Sequence, residues 1–181
     1  GQPKAEVRPE GEAAAGAGQG ENAKIDSETR ADFDTALDLL KSEKYDRGME
    51  LLTRVIQRTP RSTAPYINLA IAQQNTGKLD AAEENLKKAL AIDADHLVAN
   101  NEYAIVYRRT GRFAEARKTY EKILNKYPTF IPARKNLAIL CDLYMNDFDC
   151  ALKNYQMVSD ASPGDKAVQT WITDVKTRSG R

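Results

Sequence analysis

The sequence of 181 residues is informative first for what it lacks. Histidine occurs once, at His96, so the chain cannot build a catalytic histidine pair or a multi-histidine metal site. A solvated or helix-capping role explains this residue better than a reaction does. The glycine-rich phosphate-binding patterns and the G-x-S-x-G nucleophile elbow are also missing. We therefore predict that the protein is not an enzyme and uses no cofactor and no metal.

The chain also lacks an excess of either charge and any long apolar run. It has 27 basic and 26 acidic residues and a formal net charge of +1, which gives no basic excess for a phosphate backbone. We therefore expect no nucleic-acid partner. No apolar run approaches the roughly 18 residues that a membrane-spanning helix needs, so no transmembrane segment is predicted.

The first 28 residues differ in composition from the rest. They are rich in glycine, alanine and glutamate, and their only large aliphatic side chains are Val7 and Ile25. Such a segment buries too little apolar surface to offset the entropy of ordering it, which predicts a flexible leader over 1–28. A leader of this kind that begins at Gly1 resembles the segment after the lipidated cysteine of bacterial lipoproteins, which implies a lipid anchor upstream. An ordinary disordered N-terminus or a tag scar is the alternative.

Beyond residue 30 the sequence repeats in three columns with a period of 34 residues, which lengthens to 35 at the last step of the second and third columns. The first column is Ala36, Ala70, Ala104 and Ala138; the second is Gly48, Ala82, Ala116 and Ala151; the third is Pro60, Ala94, Pro128 and Pro163. Small residues let two helices approach closely, and proline ends a helix. Gly77 and Gly111 fall where a first helix must end and turn. Each unit is therefore predicted to be a helical hairpin.

The best-matching unit is the third, and it resembles the tetratricopeptide repeat family. Its matching residues are Ala104, Tyr107, Gly111, Phe113, Ala116, Tyr120 and Pro128. The resemblance implies an all-α fold, a right-handed α-α superhelix of about four hairpins over 29–178. We place the units at about 29–62, 63–96, 97–130 and 131–165. Three departures from the family pattern are Gly48, Ala94 and one extra residue in the inter-helix turn of the fourth unit, near Met145 and Asn146.

A repeat array needs a cap at its end. After Pro163 an apolar face continues through residues 166–178, and this face is formed by Ala167, Val168, Trp171, Ile172 and Val175. We predict a C-terminal capping helix over 166–178. Its Trp171 is better explained as a lid on the last repeat than as a platform for a ligand.

The family resemblance implies that the concave face of the first helices binds a protein or an extended peptide. An aliphatic column with amide and charged neighbours runs along that face. The candidate groove residues are Leu37, Asn68, Ile71, Asn101, Glu102, Ile105, Arg108, Arg109, Asn136 and Ile139. The partial asparagine column at Asn68 and Asn136 resembles the asparagine ladder of the O-GlcNAc transferase repeats. An amide can both donate to and accept from a peptide backbone, so these residues could hold an extended peptide. Alternatively, part of the aliphatic column is core between repeats.

One function of this family is excluded by the residues. The Hsp70/Hsp90 co-chaperones hold a C-terminal carboxylate with a clamp of lysine, asparagine and arginine on three consecutive first helices. Of the five matching positions in the first three units only Asn68 fits, and Glu102 would repel a carboxylate. The register that starts one unit later does not complete the clamp either. The chain is therefore not predicted to be a carboxylate-clamp co-chaperone.

The two cysteines, Cys141 and Cys150, are brought to the same end of the fourth predicted hairpin. A disulfide between them is compatible with that placement and would indicate an oxidising compartment. Two separate reduced thiols, with Cys141 in the core, are the alternative.

Function is therefore expected to come from binding. The favoured prediction is a scaffold that docks a partner at the periplasmic face of a bacterial outer membrane or in the periplasm. The alternatives are a cytoplasmic adaptor without export and a non-catalytic subunit of an enzyme complex.

Overall fold

The computed structural model describes residues 26–181. Over this range the chain forms nine α-helices and one π-helical turn. The helices are α1 Ser27–Lys41, α2 Tyr45–Arg58, α3 Thr63–Asn75, α4 Leu79–Ile92, α5 Leu97–Arg109, α6 Phe113–Lys126, α7 Ile131–Ile139, α8 Phe148–Ala161 and α9 Lys166–Arg178, and the π-helical turn is Leu140–Tyr144. The predicted leader over 1–28 lies outside the described residues except for 26–28. Asp26 caps α1, because its Oδ1 accepts from Thr29 N at 2.8 Å.

The described residues divide into two compact units, one from residue 26 to Val106 and the other from Tyr107 to Arg181. In the first unit, α1 packs against α2 and α3 against α4. Two buried apolar clusters hold these helices. One is Ala36, Met49, Leu52, Leu69 and Ala72, and the other is Tyr66, Ile67, Ala89, Val98 and Ala99. This unit is thus built on apolar packing between hairpin helices.

The small-residue column sets how closely α1 and α2 approach. A Cβ placed on Gly48 would stand 2.6 Å from Leu40 Cδ2, which is closer than two carbon atoms can come without a shift. At Gly48, a departure from the family pattern, the Leu40 side chain thus occupies the space that a methyl group would take. Ala82, Ala116 and Ala151 are fully buried at the equivalent positions.

The turn inside each hairpin has one residue in the left-handed region. These residues are Glu43, Gly77, Gly111 and Asn146, with φ of 59°, 77°, 79° and 51°. In the first three turns the amide after this residue donates to the carbonyl five residues back, as Lys78 N does to Gln73 O at 2.8 Å. The glycines therefore stand where the turn requires a positive φ.

The fourth hairpin contains the predicted extra residue, but its predicted place in the inter-helix turn is wrong, because the residue is accommodated in the end of the first helix. Here α7 continues into the π-helical turn, and Asp147 N donates to Cys141 O, six residues back, at 2.9 Å. The extra residue is thus absorbed by widening the end of the first helix. Asn146 still holds the left-handed position, so the turn itself is kept.

The last helix packs on the fourth hairpin. Val168 and Val175 are fully buried, and the Trp171 ring lies 5.8 Å from the ring of Tyr155 in α8. Asp165 caps the N-terminus of α9, because its Oδ1 accepts from Val168 N at 3.3 Å. The α9 face that carries Trp171 therefore covers the apolar side of α8. None of the helices within residues 26–181 combines the length and the apolar character that crossing a bilayer requires.

Candidate protein-binding site

Side chains that bind metals do not gather into a cluster within residues 26–181. No group of three or more histidine, cysteine, aspartate or glutamate side chains in this part of the chain could hold a metal ion. His96 lies at the start of α5, where its Nδ1 accepts from Ala99 N at 3.2 Å. This is a helix-capping contact, in which the imidazole satisfies an amide of the first turn.

The aliphatic members of the predicted groove divide into two kinds. Leu37 in α1 and Ile71 in α3 are partly exposed. Ile105 and Ile139 are buried, with 1% and 2% of their surface exposed. Side chains with so little exposed surface contact protein neighbours instead of water. Ile105 and Ile139 therefore fit the alternative stated above, in which part of the aliphatic column is core between repeats. Of the four aliphatic residues in this column, only Leu37 and Ile71 therefore remain partly accessible.

The polar members in the first unit are mostly engaged with the chain itself. Asn68 Nδ2 donates to Ala64 O, one turn back, at 2.9 Å. Gln74 Nε2 donates to Glu102 Oε2 at 2.7 Å, a contact that joins α3 to α5. Glu102 and Asn101 are both buried. These bonds hold polar groups in fixed positions along the first helices.

The remaining groove candidates belong to the second unit. Arg108 donates to the Tyr144 hydroxyl at 3.0 Å, and its guanidinium lies 5.3 Å from the centre of that ring. Arg109 is partly exposed, and Asn136 is buried in α7. Arg108 thus packs on the π-helical turn through a cation–π contact.

The two cysteines are joined in the structure. Cys141 in the π-helical turn and Cys150 in the first turn of α8 form a disulfide with their Cα atoms 5.9 Å apart. Cys150 N also donates to Asp147 Oδ1 at 3.1 Å. The Arg117 guanidinium, 2.8 Å from Asp147, lowers the pKa of that carboxyl, and the hydrogen bond from Cys150 N lowers the pKa further. The fourth hairpin is therefore fixed by covalent and polar contacts at its turn.

Sequence reasoning missed a buried polar cluster beside this turn. Asp142 has 1% of its surface exposed and accepts from the Tyr155 hydroxyl at 3.0 Å and from Arg178 of α9. Burial raises the pKa of Tyr155, and the negative charge of Asp142 raises it further. The equivalent residues of the earlier units are Leu40, Gln74 and Arg108, so the column shows no charge pattern that could have revealed this cluster.

A second missed feature recurs along the chain. At the start of four helices, a polar side chain donates to the carbonyl six residues before it. The four pairs are Tyr66 to Pro60, Asn100 to Ala94, Arg134 to Pro128 and Gln169 to Pro163, at 2.9, 3.1, 2.8 and 2.9 Å. The signal was a polar residue six positions after each member of the proline column. These bonds satisfy a carbonyl in each turn between hairpins.

Comparison with known families matches the repeats directly. Two tetratricopeptide repeat family models match the chain, one over residues 33–95 and the other over residues 77–138. Among relatives, the probable UDP-N-acetylglucosamine–peptide N-acetylglucosaminyltransferase SPINDLY of Solanum lycopersicum is 30% identical over 109 residues, which are 59% of this chain and 12% of that protein. The cellulose synthase 1 operon protein C of Komagataeibacter xylinus is 28% identical over 102 residues, which are 56% of this chain and 8% of that protein. The chain thus spans about a tenth of the length of these relatives.

Solved structures share the fold. PilF of Pseudomonas aeruginosa has a TM-score of 0.76 at 20% identity and covers 83% of this chain and 68% of its own. MamA from Desulfovibrio magneticus RS-1 has a TM-score of 0.75 at 15% identity, with 86% of this chain and 88% of that chain covered. At such identities the likeness shows the all-helical repeat fold alone.

Proposed function

The chain belongs to the tetratricopeptide repeat family, and from this premise we propose that it is a non-catalytic scaffold that binds a protein or an extended peptide on its first helices. Repeats of this kind present a continuous helical surface instead of a catalytic pocket. The engaged polar side chains and the capping role of His96 support binding over chemistry.

One observation carries the proposal. Leu37 and Ile71 are large aliphatic side chains at the same position of successive first helices, and both are partly exposed. Asn68 lies one turn before Ile71, and only 6% of its surface is exposed. Its amide nitrogen already donates to Ala64 O, so its carbonyl oxygen is the group that remains as an acceptor at the edge of this surface. An extended peptide can place apolar side chains on Leu37 and Ile71 and donate a backbone N–H to Asn68.

Capture from an extract of the native organism tests this surface. The immobilised chain is compared with a Leu37→Ser/Ile71→Ser variant and with an Ile92→Ser control. Ile92 is an exposed aliphatic residue on a second helix, with 37% of its surface exposed, so the control removes similar apolar surface elsewhere. We expect partner capture to fall at least tenfold in the double variant and to persist in the control. Equal capture by all three proteins would contradict the proposal.

We also propose that the chain works in an oxidising compartment, the periplasm or the periplasmic face of a bacterial outer membrane. The Cys141–Cys150 disulfide supports this location, because such bonds persist where thiols are not kept reduced. Thiol titration of the unfolded protein, purified from the native organism without reductant and with free thiols blocked at lysis, tests it. Fewer than one free thiol per chain is expected, whereas two would favour a cytoplasmic adaptor.

A non-catalytic subunit of an enzyme complex is a second candidate. Support comes from the relatives named as probable N-acetylglucosaminyltransferases. The stretch that matches this chain makes up 12% of each of those proteins. Glycosyltransferase activity in the captured partner would favour this candidate over a purely structural assembly.

A further inference from the structure

A second surface of the chain has the composition of a docking site. In the unit from Tyr107 to Arg181, an open groove of about 570 Å³ runs between α6, α7 and α8. Its lining residues are Arg117, Glu121, Leu124, Asn125, Arg134, Leu137, Cys150, Lys153, Asn154 and Met157. The groove therefore combines apolar and basic side chains within one unit.

The unusual member of this lining is Arg134. It is a charged side chain with only 9% of its surface exposed, and its guanidinium donates to Asn154 Oδ1 at 3.1 Å and to Pro128 O at 2.8 Å. Both acceptors are uncharged, and its Nε has no acceptor among the described residues. Burial lowers the pKa of Arg134, yet an arginine keeps its proton in a protein. A buried positive charge thus lies here without a carboxylate partner, and burying an unpaired charge lowers the free energy of unfolding.

The equivalent positions show that the turn contact does not need this charge. Tyr66, Asn100 and Gln169 donate to the corresponding carbonyl with neutral groups. Arg134 makes the same bond to Pro128 O with a charged group. The positive charge is therefore not explained by the packing of the repeat.

The other charges of the groove leave it positive. Arg117 is neutralised by Glu121 at 2.9 Å and by Asp147 at 2.8 Å, so Glu121 is paired within the groove wall. Lys153 is exposed at the rim, with no carboxylate at ion-pair distance in the range 26–181. The net positive charge of the groove is therefore contributed by Arg134 and Lys153.

Apolar side chains flank the charge. Leu124 and Leu137 are buried beneath the groove, whereas Met157 has 40% of its surface exposed. Methionine adapts its shape to different partners and is common on binding surfaces. The exposed Met157 offers a contact for an aliphatic side chain next to a carboxylate.

From this geometry we propose that the groove docks a segment of a partner protein by pairing Arg134 with an acidic side chain while an adjacent aliphatic side chain packs on Met157. The terminal guanidinium nitrogens each keep one hydrogen beyond those already engaged, and a carboxylate accepts two parallel bonds. Lys153 at the rim attracts the same group. This site is separate from the first-helix surface formed by Leu37 and Ile71, and either can fail without the other.

An array of short synthetic peptides tests the site. The peptides come in matched sets, in which a glutamate or aspartate beside a leucine is replaced by its amide and the free C-terminus by a carboxamide. The full chain is labelled and applied to the array. We expect retention to prefer the acidic side chain over its amide at least tenfold. Retention without this preference, no retention at all, or a preference for the free C-terminus alone would each overturn the assignment.

Variants then test whether the preference for an acidic side chain comes from the groove. Arg134→Gln and Lys153→Gln should each reduce the acidic preference, and Arg134→Lys should restore part of it. Leu37→Ser/Ile71→Ser should leave the preference unchanged. Because Arg134 also bonds to Pro128 O, the exposed Lys153→Gln variant keeps the test valid if Arg134→Gln unfolds. An acidic preference that survives Lys153→Gln unchanged would contradict the proposal, and so would one that survives a folded Arg134→Gln.

Discussion

The first three hairpin turns and the fourth end their first helices with different backbone hydrogen bonds. In the first three, the amide after the left-handed residue bonds five residues back, as Arg112 N does to Tyr107 O at 2.8 Å. In the fourth, the bond runs six residues back from Asp147 N to Cys141 O, across a π-helical turn. The fourth hairpin therefore keeps the turn conformation and changes the helix. An insertion of one residue is tolerated where a helix end can widen.

The two kinds of hairpin are also held differently. The first two rest on buried apolar clusters around Leu52 and Ile67. The fourth adds the Cys141–Cys150 disulfide at its widened turn, and Asp142, in the same turn, pairs with Arg178. In the fourth hairpin, covalent and ionic contacts therefore lie together at the π-helical turn.

The largest effect on this comparison is expected from removing the disulfide. A Cys141→Ala/Cys150→Ala variant should lose about 2 to 3 kcal/mol of stability in the fourth hairpin, because the unfolded state regains its loop entropy. Hydrogen exchange resolved by helix measures this loss. Exchange should accelerate in α7 and α8 and stay unchanged in α1 to α4. Reductant should reproduce the effect in the parent chain and add nothing in the variant; protection that is equal in both proteins would show that the bond does not stabilise the hairpin.

A smaller effect is expected at the buried ion pair. Arg178→Ala leaves Asp142 buried without its cation and should cost about 2 kcal/mol, less than a fully buried pair would because Arg178 is partly exposed. Chemical denaturation followed by Trp171 fluorescence reports on this region, since Trp171 is the only tryptophan.

Two further variants define the origin of that cost. Adding Asp142→Asn to Arg178→Ala should recover part of the stability, because the buried charge is then gone. Arg54→Ala breaks an exposed pair with Glu50 and should cost under about 1 kcal/mol. Equal losses at Arg178 and Arg54 would show that burial of Asp142 contributes nothing.

The smallest effects are expected at the left-handed positions that the turns share. Gly77→Ala should cost about 1 kcal/mol, because φ is 77° there while an added Cβ meets no described atom within 4 Å. Asn146→Gly should stabilise the fourth turn by a few tenths of a kcal/mol, since glycine relieves the same restriction. Thermal unfolding of both variants measures the pair. A stabilising Gly77→Ala would show that the turn does not depend on positive φ.

Much of the fold could be predicted from the sequence because the repeat signals are local and periodic. The alanine and proline columns predicted the hairpins, and Gly77 and Gly111 predicted the turns that the structure shows at positive φ. The π-helical turn could not be predicted, because the spacing gives one extra residue but not whether a loop or a helix takes it. The charge on Arg134 was missed because the equivalent residues, Tyr66 and Asn100, are of other types. The three residues share a hydrogen bond to the preceding turn, and this bond does not show in the sequence as one residue type.

Predicting the candidate site was harder for a related reason. The aliphatic column of Leu37, Ile71, Ile105 and Ile139 is regular in sequence, yet only the first two are partly exposed. Periodicity places residues on one face of a helix but does not say how much of that face its neighbours cover. Burial is a property of packed helices, and it divides a column that the sequence presents as uniform.

Photo-crosslinking in the native organism tests the central claim, binding on the first helices, most directly. A benzophenone amino acid is placed at Ile71 in one strain and at the exposed Ile92 of the second helix in another. We predict a discrete crosslinked protein species from position 71 that is absent from position 92. Crosslinking of the same species from both positions, or from position 92 alone, would contradict the account.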